Sequence, residues 1–376
     1  MPNSKVYFSD FRAYPGLNLL QKLRKLIVSA GLEEFDLNNK FVAIKIHFGE
    51  PGNLSFLRPN YAKVVADIVK EKGGKPFLTD CNTLYAGRRK HALEHIDAAF
   101  ENGFSPMTVG CNIIIADGLK GRDEISVPVA GGEYIKEAKI GSAVMEADVF
   151  ISLNHFKGHE QTGFGGAIKN IGMGCGSRAG KMEQHCAGTP SVNPKRCVGC
   201  KICAKNCAHD AISFNDDKKA VINTEKCVGC GRCIGVCNWS AISNRNYSAE
   251  KELNCRMAEY AKAVVQDRPH FHISLVMDVS PYCDCHSEND LPVIPNVGMF
   301  ASLDPVALDQ ACADACNKMP EIPGSLLDEK LKSKECECHD HDHFTVISPN
   351  TDWRVCLEHC EKIGVGSREY ELIEVK

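Results

Sequence analysis

Near the middle of the chain, one figure of four cysteines occurs twice: CVGCKICAKNC at 197–207 and CVGCGRCIGVC at 227–237. Each copy has the spacing C-x2-C-x2-C-x3-C. Three thiolates two residues apart wrap one corner of an iron–sulfur cube in a tight loop. The fourth is carried away by the turn that follows and, in proteins that hold two such cubes side by side, ligates the other one. This rule assigns Cys197, Cys200, Cys203 and Cys237 to one 4Fe–4S cluster, and Cys227, Cys230, Cys233 and Cys207 to a second. Gly199 and Gly229 sit inside the loops, where a missing side chain lets backbone N–H groups approach sulfur. The alternative chemistry for the same eight residues is a pair of four-thiolate zinc sites.

The two copies also share AIS after the last cysteine, at 211–213 and 241–243, and ISFNDDKKAVIN between them has the pattern of a hairpin around a polar turn. Val198, Ile202, Ile212, Val228, Ile234 and Ile242 would sheath the clusters. Residues 191–245 resemble the bacterial two-cluster ferredoxin module, a small α+β unit. Ala208 and Asn238 replace the proline that usually follows each fourth cysteine. This stretch carries nine Lys or Arg against four Asp or Glu, a net +5 within a chain of net −4. Such a surplus suits contact with an acidic surface, or is a solvated excess with no partner.

A second set of reactive side chains lies outside this stretch. Lys45 and His47 stand two apart at the end of the apolar run FVAIKIHF, so they face one side while Ile44 and Ile46 face the other. Placing charge on a buried strand is costly unless something pairs with it. Asp80, Asp117, His155 and Asp278 fall at the ends of other apolar runs. From 154 to 176 the chain reads NHFKGHEQTGFGGAIKNIGMGCG, carrying His155, Lys157 and His159 into a glycine-rich turn and then a helix with Lys169. Backbone N–H groups at such a helix start cradle anions, or the glycines serve a close-packed turn. The stretch fits neither a Walker loop nor a dinucleotide-binding fingerprint. Lys45, His47, His155, Lys157, His159, Lys169 and Asp278 are therefore the candidate catalytic set for a small anionic ligand, with lysines holding charge and a histidine moving protons.

The elements that must position these groups alternate. Strands are expected at 6–8, 41–48, 76–80, 112–117, 148–154, 270–278 and 370–375. Helices are expected after the PG at 15–16, after Asn60 as cap, around 89–102, over 248–266, after Asp304 with Pro305 at its first position, and at 352–363. This alternation predicts an α/β fold with a mainly parallel sheet covered by helices. The expected organisation is an α/β body in two parts, 1–190 and 246–376, interrupted by the module at 191–245. Two independent flanking domains are the other arrangement.

HFKGHEQTGFGGAIKNIGMG, PYCDCH at 281–286, SLDPVALDQA at 302–311 and the terminal DWRV with GSREYELI together resemble the iron–sulfur proteins of the domain of unknown function 362 family, across nearly the whole chain. The resemblance implies an α/β body, electron-transfer work by the inserted clusters, and donation of electrons to a partner reductase.

Further cysteines suggest additional zinc or iron, since thiolates with imidazoles suit either. Cys283, Cys285 and His286 form a C-x-C-H group. CECHDHDH at 336–343 is rich in ligands, and Cys356 and Cys360 stand one helical turn apart with His359 between them. The simplest four-thiolate set is Cys336, Cys338, Cys356 and Cys360. Cys312 and Cys316 share a helical face with Leu308 and read as core.

With 376 residues, 44% hydrophobic and 24% charged, the chain suits a globular protein of more than one core. It has no apolar run of membrane-spanning length and no nucleic-acid motif. MPNSKVYFSDF lacks the order of a secretory signal, and twenty-one cysteines suit a reducing compartment, so a cytoplasmic location is expected. Three functions fit: an electron carrier serving a redox partner protein, a redox enzyme acting on a small anion, or an iron–sulfur redox sensor.

Overall fold

The computed structural model describes residues 4–376 except 85–86, 186–189, 208, 228–232, 234–236, 238, 240, 245–247 and 334–341. Eight strands form one mixed sheet. In chain order they are β1 (Ser4–Asp10), β2 (Phe41–Lys45), β3 (Lys75–Asp80), β4 (Asn112–Ile115), β5 (Val149–His155), β6 (His270–Val276), β7 (Gly298–Ser302) and β8 (Tyr370–Glu374). Across the sheet the order is β8-β1-β7-β6-β5-β2-β3-β4. β7 runs antiparallel to both its neighbours, and the other pairings are parallel. The central strands β2, β5 and β6 are buried on both sheet faces, but only β2 is a near-continuous apolar run; β5 and β6 bury the mutually hydrogen-bonded Ser152, Asn154, His272 and Ser274 on one face. One face holds Val42, Ile44, Leu78 and Ile151 against the helices Leu19–Ser29 and Pro59–Glu71. The other holds Ala43, Phe77 and Phe150, with the helices Ala167–Cys175, Ser248–Val265 and Pro305–Asn317 packed on that side.

The strand order has a direct functional meaning. From β2 the chain adds β3 and β4 toward one edge, then returns to lay β5, β6 and β7 on the other side of β2. The order therefore reverses between β2 and β5. In open α/β sheets a crevice opens at that place, beyond the carboxyl ends of the strands. Lys45 ends β2, Asp80 ends β3 and His155 ends β5.

Most expected elements form with ends shifted by a few residues, but three readings need correction. The second helix starts at Pro59 behind Arg58, with no side-chain cap, so Asn60 is not its cap. The sequence pattern does not predict the antiparallel strand β7, GMFAS, because its short apolar run shows no alternation. The start of the helix Ala167–Cys175 is not open to an external anion. The Asp309 carboxylate already accepts from the Ala167 and Ile168 N–H groups at 2.6 and 2.9 Å. A Cβ on Gly166 would lie 2.2 Å from Asp309 Oδ1, so the glycine turn serves this internal cap. Asp304 does cap its helix as expected, accepting from Val306 and Ala307.

The cysteine-rich stretch leaves the body after the helix Arg178–His185 and returns as the helix Ser248–Val265. Its ends pair antiparallel, Pro190–Val192 with Ile242–Asn244, and Ile212–Phe214 forms a hairpin with Ala220–Ile222. Strands from before and after it lie side by side in the one main sheet, as β1 lies between β7 and β8.

Candidate functional site

The reversal point in the sheet opens into a cleft lined by Lys45, His47, Asp80, Arg89, Lys157, His159, Lys169, Lys181 and Cys285 among others. Five of these are cationic; Asp80, Glu50 and Asp284 pair with Lys45, Arg89 and Lys157, and the positive excess that favours an anion rests on Lys169 and Lys181. Lys45 is fully buried, with its Nζ 3.1 Å from Asp80 and 2.6 Å from Asn170 Oδ1. Burial alone would raise the Asp80 carboxyl, but Lys45 and His95 beside it hold it well below the usual range. Arg89, also buried, reaches Glu50 at 2.9 Å and lies 3.0 Å from His47 Nε2. Burial and then Arg89 push the His47 imidazole far below its ordinary value, so it stays neutral.

At the other wall, the Asp284 carboxylate is fully buried between His155 Nδ1 at 2.9 Å and Lys157 Nζ at 3.2 Å. Burial opposes its ionisation, yet His155 and Lys157 keep it well below the usual range. His155 Nε2 lies 2.7 Å from the Met277 carbonyl. This locks the loop after β6 against the end of β5. Cys283 and Cys285 flank that anchored aspartate. The Lys169 Nζ lies 3.2 Å from the Cys283 sulfur. Hydrogen bonding from Cys285 draws the Cys283 thiol far below its usual value against the effect of burial, and Lys169 and His159 add to this. The same bond, with burial, pushes Cys285 up. Ligand atoms of His159, Cys283 and Cys285 all lie within 4.8 Å of one another, close enough to hold a metal ion. Together with its many cysteines, this suits the chain to a metal cofactor.

The cysteine-rich stretch has a cavity of its own. Cys197, Cys200 and Cys203 line it together with Cys237 from the second copy, and Val198, Ile202, Phe214, Trp239 and Ile242 complete its wall. Its empty space is about 330 Å3. Backbone donors reach three sulfurs: Ala220 N–H to Cys197 (3.4 Å), Ala211 to Cys207 (3.4 Å) and Ala241 to Cys237 (3.3 Å). Gly199 adopts φ +70°, and a Cβ there would lie 2.4 Å from the Lys218 carbonyl, so the loop needs glycine. Cys207 and Cys227 are half-buried and Cys233 is buried, while Cys230 lies outside the described residues.

Other candidates land elsewhere. Asp278 pairs with Arg58 at 3.6 Å and is not among the residues lining the cleft. His155 stands behind the cleft wall as a partner of Asp284. His286 binds Glu160 at 2.6 Å, and His159 takes the place expected for it beside the cysteines. Cys356 and Cys360 are buried in the core on the helix Arg354–Lys362. His359 between them binds Glu259 at 2.9 Å, which also accepts from the N–H groups of Glu133, Tyr134 and Ile135. Cys336 and Cys338 lie outside the described residues. Sequence reasoning missed Arg89, Asn170, Lys181, Glu50 and Asp284. Arg89 sits in the charged run GRRK, which reads as solvated surface, and Asp284 is hidden between two more conspicuous cysteines.

No described helix is long and apolar enough to cross a membrane. The chain is 28% identical over 176 residues to a thylakoid-associated protein of Synechocystis, a match covering 46% of this chain and 50% of that protein. It thus spans about half the length of the curated relative it matches. The lactate racemase apoprotein of Thermoanaerobacterium thermosaccharolyticum is similar at 14% identity and a TM-score of 0.35, over 68% of this chain and 49% of that one. A protein of Thermotoga maritima is similar at 14% identity and a TM-score of 0.39, over 81% and 60%. Residues 42–314 match the DUF362 family, a domain of unknown function, and the chain belongs to that family.

Proposed function

We propose that this is an iron–sulfur electron-transfer protein whose 191–245 module carries two 4Fe–4S clusters and relays electrons to the cleft of the α/β body. The observation that carries this reading is the cavity shared by Cys197, Cys200, Cys203 and Cys237, sulfurs drawn from both copies of the repeat. Apolar walls and backbone donors to sulfur are the features that tune such clusters, whose contribution when bound is one-electron transfer. Cys207, Cys227, Cys230 and Cys233 would hold the second cluster.

Two observations favour the body cleft as the destination. His185, last in the helix before the module, and Leu253, in the helix after it, both line that cleft. Asn206, next to Cys207, lines a neighbouring surface hollow together with Leu84, and Leu84 also lines the cleft. The positive excess there favours a second reading within the first: a small anion is the electron acceptor, with Lys157, Lys169 and Lys181 holding its charge. An external redox protein supplies the electrons. The twenty-one cysteines suit a reducing, cytoplasmic setting.

The test is anaerobic purification followed by iron, sulfide and zinc analysis and paramagnetic resonance of the reduced protein. The expected result is about eight iron and eight sulfide per chain, with signals of two interacting tetranuclear centres. A colourless protein holding zinc and no sulfide would end this reading.

A further inference from the structure

We propose that Cys283 and Cys285 form a two-electron thiol–disulfide couple in the cleft, reduced by electrons from the module and oxidised by an anionic low-mass disulfide. This rests on the reading of the module as an electron relay.

The loop is built to hold the two sulfurs together. The His286 N–H donates to the Cys283 carbonyl at 3.1 Å, closing a turn with Asp284 and Cys285 at its centre. Such a turn keeps residues two apart within the roughly 4.4–6.8 Å Cα separation that a disulfide spans. Asp284, tied to His155 and Lys157, anchors the turn from below, and His286, tied to Glu160, anchors its exit. The two sulfurs already lie within 4.8 Å. Cys283 is fully buried, whereas Cys285 lines the cleft, so one sulfur meets the reactant and the other stands behind it.

The same groups are spaced for a metal ion, but the donors around them favour sulfur chemistry. His159 Nδ1 accepts from the N–H groups of Gln161 and Thr162 at 3.1 and 3.2 Å. A neutral ring therefore carries its proton on Nε2, and the nitrogen left for the sulfurs is a donor without the lone pair a metal requires. Lys169 supplies a second donor to Cys283. Two donors aimed at sulfur stabilise a thiolate. An ammonium at that distance repels a divalent cation.

The chemistry balances. Reduction breaks the Cys283–Cys285 S–S bond with two electrons, arriving singly, and one proton, leaving a thiolate at Cys283 and a thiol at Cys285. In the oxidising direction the Cys285 proton passes to Cys283, and the Cys285 sulfur attacks one sulfur of the incoming disulfide and expels a thiolate. Cys283 then releases its proton to solvent and attacks Cys285 Sγ. This closes the internal bond and expels the second thiolate. Lys169 and Lys181, whose amino groups reach a sulfur and a backbone carbonyl and not a carboxylate, together with Lys157 at the Asp284 anchor, select a reactant that carries negative charge.

The test uses the full chain prepared without oxygen. Oxidised glutathione is added, remaining thiols are trapped with N-ethylmaleimide, and the peptide holding both residues is weighed. Expected is an unlabelled peptide lighter by two hydrogens, formed about 10-fold faster than with uncharged 2-hydroxyethyl disulfide. Lys157→Met should lower that preference. On photoreduction the cluster absorbance bleaches and both cysteines become labelled again. If the absorbance bleaches while the pair stays oxidised, the couple is overturned and the relay stands. If no clusters are present, the relay reading fails, and reduction by dithiothreitol decides whether the couple exists. Zinc or mononuclear iron bound stoichiometrically, lost in Cys285→Ser and with no disulfide formed in the parent chain, overturns the proposal.

Discussion

The module and the cleft assemble reactive groups in opposite ways. In the module, sulfurs come from two short loops, and local backbone donors such as Ala220 and Ala241 hold them. Its small apolar cluster consists of Cys203, Ala220, Cys233 and Ile242, with Cys197 and Cys237 packed against it, so the proposed ligands are themselves much of its core. In the cleft, Lys45, Asp80, Lys157 and Cys285 come from four distant segments and meet because the sheet reverses its order between β2 and β5. Those charges rest on two large apolar layers. A site written in spacing depends on its ligand for order, whereas one written in topology depends on ion pairs buried by the fold.

This contrast can be broken at either side. The largest effect is expected for Cys237→Ala, which should empty the cavity of Cys197, Cys200 and Cys203 although it lies in the other copy. Iron and sulfide should fall by about half, with the remaining centre's resonance no longer split by a neighbour. If both centres survive, the crossing of ligands is wrong. In the cleft, Lys45→Met strands a buried carboxylate at Asp80. Unfolding in urea should show a loss of about 3–5 kcal/mol, with iron content unchanged.

Acid should separate the regions less sharply. In the body, burial lowers His95 to about 3 and His185 and His270 to about 4, and it pushes His47 and His272 well below their usual value. These folded values lie below the unfolded one near 6.5, so the folded state binds fewer protons. The stability they contribute is present above about pH 6.5 and is lost as pH falls toward 4. Each such histidine contributes at most about 1.4 kcal/mol per pH unit in that window. Urea midpoints at pH 7 and pH 5 should show the decline, and His95→Gln should flatten it. The smallest effect calibrates the rest. Lys63 and Asp67, one turn apart and exposed at 2.8 Å, should contribute less than about 0.5 kcal/mol, seen as an almost unmoved midpoint in Lys63→Ala. A large loss there would mean that burial is not what distinguishes the Lys45 pair.

The same contrast explains what could be read without coordinates. The strands β2, β5 and β6 are legible from their strand-length stretches of β-branched and aromatic residues, although β5 and β6 also bury Ser152, Asn154, His272 and Ser274, and the Asp304–Pro305 helix start is legible because a cap is local chemistry. Lys45 and His47 were conspicuous as charge at the end of a buried strand. Arg89 and Asn170 were not, since only the fold turns them inward. The Asp309 cap was invisible for the same reason, its carboxylate lying far along the chain from the N–H groups it accepts from. Among the histidines, His159 and His286 were both flagged, but which one turns toward the sulfurs is decided by Glu160, which holds His286 away.

Val192 and Ile242 are cross-strand partners, so the chain departs for the module and comes back at points one strand spacing apart, about 5 Å. An insertion whose two ends meet in this way can be gained or lost by recombination without moving the scaffold that receives it. In the proposed relay, this single point of attachment makes the module a tethered donor to the cleft in place of a diffusing one.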